Sequence, residues 1–388
     1  MTKRSSSINR RMLLRTAAVA VPTMLASPAI LTRRAFAQDS VIRILGVETA
    51  ALEDWSDFVK ETGLTVEFEG MNSDPGIFRQ QVVANEIGER IDIILMDGGI
   101  EDDLGEKGFF AELDLAAIPG ATDVPAGIMS SPLATGPSGK QFGMPVVMNA
   151  DSFAYYPDEI GEDEPLSYAL LFDSEKTKGR IALENTWLTT LPMAALYTNH
   201  VGLTSVTDPA NMTPDEAHAV VDFLVERKKA GQFRTFWSTW EESIDLMSRK
   251  EVIVENCWEP AVLEMKKGGA NVRYATTLEG YNKWMICAYV PKQVKDRGDV
   301  DKVNTALSGF LGGAYAAQIA QLRGYATANA EAGLEYAEEK GLSADAVDAI
   351  KANIEKVKAK FAAPQFWQNA APEYVQDIES EFERFRLA

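Results

Sequence analysis

Residues equipped for chemistry are few in this 388-residue chain, and their spacing makes no catalytic or metal centre. His200 and His218 are the only histidines. Two are too few for a His-rich metal site and argue against a Ser-His-Asp triad. No glycine-rich phosphate loop, CxxC or HExxH occurs. Gly309-Phe310-Leu311-Gly312-Gly313 falls inside a helix-like stretch. The carboxylate clusters Glu101-Asp102-Asp103 and Glu241-Glu242 read as solvated faces, because a nucleophile or acid without a matched base is not a site. Cys257 and Cys287 each lie in an apolar, strand-like run. A disulfide between neighbouring strands and two buried thiols are both compatible with that setting. Missing reaction machinery favours binding over catalysis.

The first 37 residues differ from the rest. They carry seven basic residues and no acidic one, with Arg10-Arg11 ahead of an apolar run from Thr16 to Ile30 and then Ala35-Phe36-Ala37. That order is a bacterial signal peptide with a cleavage site, and the twin arginine points to the Tat route. Pro22 and Pro28 interrupt the short apolar run, so cleavage is expected rather than a membrane anchor. Taking the seven basic residues from 38 leaves 31 against 57 acidic, a net charge of −26. Such a surface repels nucleic acid and anionic membranes.

The elements that must position any site follow from periodicity. Val41–Gly46, Leu64–Phe68 and Ile91–Met96 read as strands, separated by helices around Leu52–Val59 and Phe78–Ile87. This β-α-β-α-β alternation is an α/β lobe with a parallel sheet. In such sheets the ligand crevice lies beyond the carboxyl ends of the strands. Gly46 to Thr49, including Glu48, and Asp97-Gly98-Gly99 therefore stand on the candidate edge. Strands at 142–148 and 153–156, then 179–183, with helices after, make a second α/β lobe. Thr213-Pro214-Asp215-Glu216 is a strong helix start, with a cap, a first-turn proline and a glutamate three residues after the cap. Two more strands fall at 251–258 and 284–290, and from Val300 onward the chain is helical in character. No long linker separates these parts, so the two lobes interleave.

Six segments in chain order resemble a known family: Glu61–Val66, Ile91–Ile94, Glu106–Asp114, Gly143–Val146, Lys178–Leu183 and Arg323–Asn329. The last has Ala328 where proline is usual. The chain, over roughly 41–335, resembles extracellular solute-binding proteins of the spermidine/putrescine-binding type. The resemblance implies an α/β, two-lobed periplasmic-binding-protein fold, type II-like, with a helical C-terminal part. It implies lobe 1 at 41–148 with 290–388 returning to it, and lobe 2 at 149–289. It also implies a site between the lobes, a periplasmic location and an ABC permease as partner. A monomer with no cofactor, no metal and no nucleic-acid partner is expected.

The resemblance also suggests site residues. Trp258 and Trp284, 26 residues apart, match two ligand-sandwiching tryptophans of the family, and Glu279 matches an acidic position beside them. The family's aspartate two residues after the second tryptophan is Ile286 here, and its patterns near Val47-Glu48 and around Glu184-Asn185-Thr186-Trp187 are replaced as well, so several ammonium-binding carboxylates are missing and a long polyamine is disfavoured. A smaller cation suits an aromatic box of Trp187, Trp258 and Trp284 with Glu48, Asp97, Asp151 or Glu279 nearby. Trp55, Trp237, Trp240 and Trp367 read as structural. Tyr155-Tyr156 raises a ferric-iron reading, which the missing nearby histidine disfavours.

Overall fold

Hydrophobic strands of β-branched residues form the frame of the computed structural model, which describes residues 40–71, 75–84, 87–362, 366–369 and 371–388. The expected leader at 1–37 lies outside the described residues. Strand β1 (Val41–Val47) pairs in parallel with β2 (Thr65–Met71) on one side and β3 (Ile93–Asp97) on the other. Helix α1 (Ser56–Thr62) links β1 to β2 and ends at Gly63, whose φ of 72° is the left-handed geometry that suits glycine. Helix α2 (Pro75–Ala84) links β2 to β3. The β-α-β-α-β reading of this region is therefore what forms.

The central strand is β4 (Gly143–Tyr155), buried along all of its 13 residues. Two separate strands were expected here. The polar Asn149, Asp151 and Ser152 do not interrupt it, because each finds a partner inside. The other strands are β5 (Ile181–Glu184), β6 (Thr235–Trp237), β7 (Val254–Cys257), β8 (Arg273–Tyr274), β9 (Asn282–Tyr289), β10 (Ala326–Thr327) and β11 (Phe366–Trp367). The sheet runs β2-β1-β3-β9-β4-β7-β5-β6 among the described residues. The first half of β4 pairs antiparallel with β9, from Gly143 to Asp151. Its second half, from Ser152 to Tyr155, pairs antiparallel with β7. One strand thus carries the chain from one hydrophobic cluster to another.

The first cluster gathers Ile42, Ile44, Phe58, Leu95, Val146, Met285 and Phe310, among others. The second gathers Phe153, Leu183, Leu224, Trp237, Val254 and their neighbours. Side chains as deeply buried as these contribute on the order of 1.5–3 kcal/mol each.

The helices with a bearing on the site are α3 (Trp187–His200), α4 (Pro214–Lys229), α5 (Trp240–Ser248), α6 (Glu259–Lys267), α7 (Val300–Phe310), α8 (Gly313–Arg323), α9 (Ala330–Glu339), α10 (Ala344–Ala362) and α11 (Val375–Leu387). The Thr213 capping box forms as the sequence implied: Glu216 N donates to Thr213 Oγ1, and Thr213 N donates to Glu216 Oε2 at 2.9 Å. A second box joins Thr239 to Glu242 at the start of α5, which gives one of the expected solvated glutamates a structural task.

Residues 290–388 were expected to return to the first lobe. Part of that stretch does otherwise. Ile378, Phe382 and Phe385 of α11 belong to the second cluster, where an apolar stripe on that helix meets α4. His218 and Asp222 of α4 pair with Glu381 and Arg384 of α11 alongside. Cys257 and Cys287 are free and buried. They sit on opposite sides of β4, opposite Ser152 and Pro145 respectively, which keeps them apart. No helix among the described residues is long and apolar enough to cross a membrane.

Candidate ligand-binding cleft

The carboxyl ends of five strands converge on one cavity of about 980 Å³. β1 delivers Val47, Glu48 and Thr49; β3 delivers Asp97; β5 delivers Glu184; β6 leads into Ser238 and Trp240; β7 leads into Trp258. Parallel strands leave their carboxyl ends unobstructed by the following helices, which is why the crevice forms there. The middle of β4 adds Asp151, and β9 adds Trp284 and Ile286. Arg323 at the end of α8 and Tyr325 just beyond it join the wall, and Gln368 with the start of α11 completes it.

Six of the seven residues singled out from sequence line this cavity: Glu48, Asp97, Asp151, Trp187, Trp258 and Trp284. Glu279 is not brought to it. Its carboxylate accepts from Ser167 Oγ and, at 3.1 Å, from the Tyr168 amide. That amide begins the short helix at 169–172, so Glu279 fixes a loop at a helix start and is used up there.

Each lining group has a local reason for its position. The Trp284 indole Nε1 donates to Asp151 Oδ1 at 2.7 Å. Trp284 also meets Tyr325 edge-on, with ring centroids 4.9 Å apart. Trp258 stacks on Trp240, the rings 6.2 Å apart and only 15° from parallel, while Trp237 closes its edge at 5.3 Å. Trp240, read from sequence as structural, is thus part of the cavity wall as well. Trp187 opens α3, whose Thr186 cap accepts from the Leu188 amide.

Glu184 ends β5. Its amide donates to Asn256 Oδ1 at 2.7 Å, and its carboxyl accepts from Thr189 Oγ1 at 2.6 Å. Arg79 pairs with Asp103, and Arg323 donates from Nη2 to the Glu48 carbonyl at 2.7 Å.

The electrostatics are dominated by desolvation. Burial pushes the Asp97 carboxyl up to about 7, with only its own backbone amide opposing. Burial does the same to Asp151, to about 7, against the Trp284 hydrogen bond and the charge of Lys360; the charges of Asp97 and Glu259 add to the rise. Glu184 rises to about 8 for the same first cause. Three carboxyls are therefore held short of full ionisation at neutral pH, and a cation entering the cavity would ionise them.

Behind this wall, Glu259 is buried. Desolvation would raise it, but Lys360 and Lys356 hold it below the usual carboxylate range. Lys356 Nζ lies 2.5 Å and Lys360 Nζ 3.5 Å from its oxygens.

Sequence reasoning missed Glu184, Trp240, Arg323 and Gln368 as cavity residues. Glu184 and Trp240 were findable from the strand-end rule, since both follow short strands of the second cluster. Arg323 and Gln368 arrive from the C-terminal third, far in sequence from the strand ends that supply Glu48, Asp97 and Glu184. Glu101, expected to be solvated, is 1% exposed. It accepts from Tyr289 Oη at 2.5 Å and from the Gly99 amide at 2.9 Å, and burial raises it to about 7.

The fold is shared with many solved proteins. The spermidine/putrescine ABC transporter substrate-binding protein PotD of Streptococcus pneumoniae superposes with a TM-score of 0.68 at 17% identity, covering 90% of this chain and 99% of its own. MotA of A. tumefaciens B6, in complex with glucopine, gives 0.64 at 18% identity over 89% of this chain and 99% of its own. A GABA receptor gives 0.60 at 18% identity over 89% and 96%. This is the periplasmic-binding-protein fold, with the expected helical C-terminal part. None of the curated proteins compared matches the chain significantly. The sequence profile of one family covers residues 55–345, three quarters of the chain, and on that match the protein belongs to the bacterial extracellular solute-binding proteins.

Proposed function

We propose that this protein captures a small organic amine or related cation in the strand-end cleft and delivers it to an ABC permease. The observation that carries the reading is the cavity wall itself: Trp187, Trp240, Trp258 and Trp284 share it with Asp97, Asp151 and Glu184, and Trp284 is hydrogen-bonded to Asp151. Indole faces attract ammonium groups through the ring quadrupole. Carboxylates add charge-assisted hydrogen bonds. Each carboxyl here is raised chiefly by desolvation and is in no ion pair among the described residues, so a cationic solute would supply its counter-charge. Ile286 and Leu188 give apolar surface for the carbon skeleton.

On this reading residues 1–37 are a Tat-type leader and the mature protein works in the periplasm as a monomer. It acts as a receptor and not as an enzyme. The lobes at 41–148 and 149–289 close on the solute as a hinge, with β4 as one of the crossing strands. Neighbours of the same fold carry names for spermidine/putrescine, glucopine and GABA, which supports a small nitrogenous solute.

Thermal-shift screening tests this. A solute bound only by the native state stabilises it by about 2.7 kcal/mol at a hundredfold excess over Kd. Organic amines are expected to raise the melting temperature, and sugars and dicarboxylates are not. A shift confined to uncharged or anionic compounds would overturn the amine reading.

A further inference from the structure

Resting on the amine reading, we infer that the solute also carries a carboxylate, which Arg323 takes, so that the ligand class is an amino-carboxylate. The cavity has two poles. Asp97, Asp151 and Glu184 form the acidic one. Arg323 forms the other, and it is built differently from the other cavity arginine. Arg79 is paired with Asp103. Arg323 makes no ion pair among the described residues, and its one hydrogen bond there is Nη2 to the Glu48 carbonyl at 2.7 Å. That bond fixes the guanidinium. It uses one of five N–H donors, and the buried Nε has no partner among the described residues.

A guanidinium fixed in place with donors to spare is suited to a bidentate carboxylate. It is not spent on the wall's own acids, since no hydrogen bond or ion pair among the described residues joins it to Asp97, Asp151 or Glu184. Tyr325 stands two residues from Arg323 and packs edge-on against Trp284, whose Nε1 holds Asp151. The acidic group and the guanidinium make no contact with one another among the described residues and remain separate charges. A diamine would bring an ammonium to each end and leave a cation facing Arg323. A simple carboxylate would leave the acidic pole without its counter-charge. A molecule with an amine at one end and a carboxylate at the other satisfies both.

Titration calorimetry on the purified protein tests this with three matched series. The amino-carboxylates are the linear ω-amino acids from glycine to 6-aminohexanoate, the α-amino acids, and N-carboxyalkyl amino acids. The diamines and the monocarboxylates of the same chain lengths complete the panel. The expected result is that at least one amino-carboxylate binds tenfold or more tighter than its matched diamine and monocarboxylate. Arg323→Ala should weaken that compound by about 10- to 100-fold, the range for a lost charge-assisted contact. Arg323→Lys should recover part of the loss, because it keeps the charge but not the fork. A melting temperature for Arg323→Ala matching that of wild type shows that the variant is folded, so that the loss reads on the contact and not on the fold. A diamine preferred over every amino-carboxylate, or no loss on Arg323→Ala, would overturn the inference and leave amine capture standing. Binding of no amine-bearing compound would overturn both.

Discussion

The indole N–H of Trp284 is hydrogen-bonded to the Asp151 carboxyl at 2.7 Å, and both side chains line the cleft. One residue is thereby asked to hold a carboxylate and to offer a ring face. It also belongs to the first hydrophobic cluster. Trp284→Ala would remove a core side chain, at a cost of about 3–5 kcal/mol, and confuse binding with folding. Trp284→Phe separates them. It keeps a ring and deletes the donor, so the Asp151 carboxyl rises further. Amine affinity at pH 7 should fall by about tenfold, an effect of order 1.4 kcal/mol. Unchanged affinity in calorimetry would show that the hydrogen bond does not prepare Asp151 for a ligand.

Trp258 and Trp240 form a parallel pair on the opposite cluster and are only half-buried. Trp258→Ala should reduce amine affinity by about 10-fold or more, in line with roughly 1–2 kcal/mol for a desolvated cation–π contact. Trp240→Ala should act in the same direction and less strongly, because Trp258 keeps its edge contact with Trp237 when the stacked ring is lost. Thermal melts should move little in either variant compared with Trp284→Ala. Equal affinity in all three proteins would remove the tryptophans from the site.

The raised carboxyls predict how stability responds to pH. Asp97 and Asp151 are near 7 and Glu184 near 8 in the folded protein, against ordinary values near 4 when unfolded. Between about pH 4 and pH 8 the folded state holds more protons than the unfolded state. Stability of the ligand-free protein should therefore fall as pH rises through that window. Asp97→Asn, Asp151→Asn and Glu184→Gln together should flatten the fall. Melts at pH 5, 6, 7 and 8 decide it: an equal slope in wild type and triple variant would contradict the assignment.

Ligand binding should show the opposite sign. A cation favours the ionised carboxyls, so amine affinity should rise from pH 6 to pH 8 and binding should release protons. Calorimetry in buffers of different ionisation enthalpy measures that release directly. An enthalpy independent of buffer would mean that these acids are already ionised or remain untouched.

Lys360 is buried, burial lowers it to about 8, and it lies 3.5 Å from the Glu259 carboxylate. It also donates to the Ala150 carbonyl of β4 at 3.0 Å, beside Asp151. Lys360→Met should destabilise the protein by about 3–5 kcal/mol, since Glu259 would lose a buried partner. Glu259→Gln added to Lys360→Met should recover much of that. A single variant as stable as wild type would mean that Lys356 alone compensates Glu259.

The legible part of the molecule was what period and punctuation encode. Gly63, Thr213 and the apolar run at Ile91–Met96 each mark an element that forms. The strand-end rule, applied to β1 and β3, placed Glu48 and Asp97 on the cavity before any contact was known. It was not carried to Glu184, although the strand at 179–183 was read, and it stopped short of Trp240 because β6 is only three residues long, too short for a period to stand out. Glu279 looked equivalent to a binding residue by neighbouring motif, yet a helix-start amide claims it, and local sequence carries no sign of that competitor. Arg323 and α11 reach the cleft through packing between distant segments, which no window along the chain reports.

The central claim is that the acids and tryptophans of this cleft bind an organic amine. Equilibrium titration of the amine giving the largest thermal shift, in wild type and in Asp97→Asn/Asp151→Asn, tests it most directly. The account predicts saturable one-site binding to wild type and a loss of about 100-fold or more in the double variant, with its melting temperature retained, as expected when two charge-assisted contacts go. Equal affinity in the two proteins, or saturable binding of neutral solutes only, would contradict it.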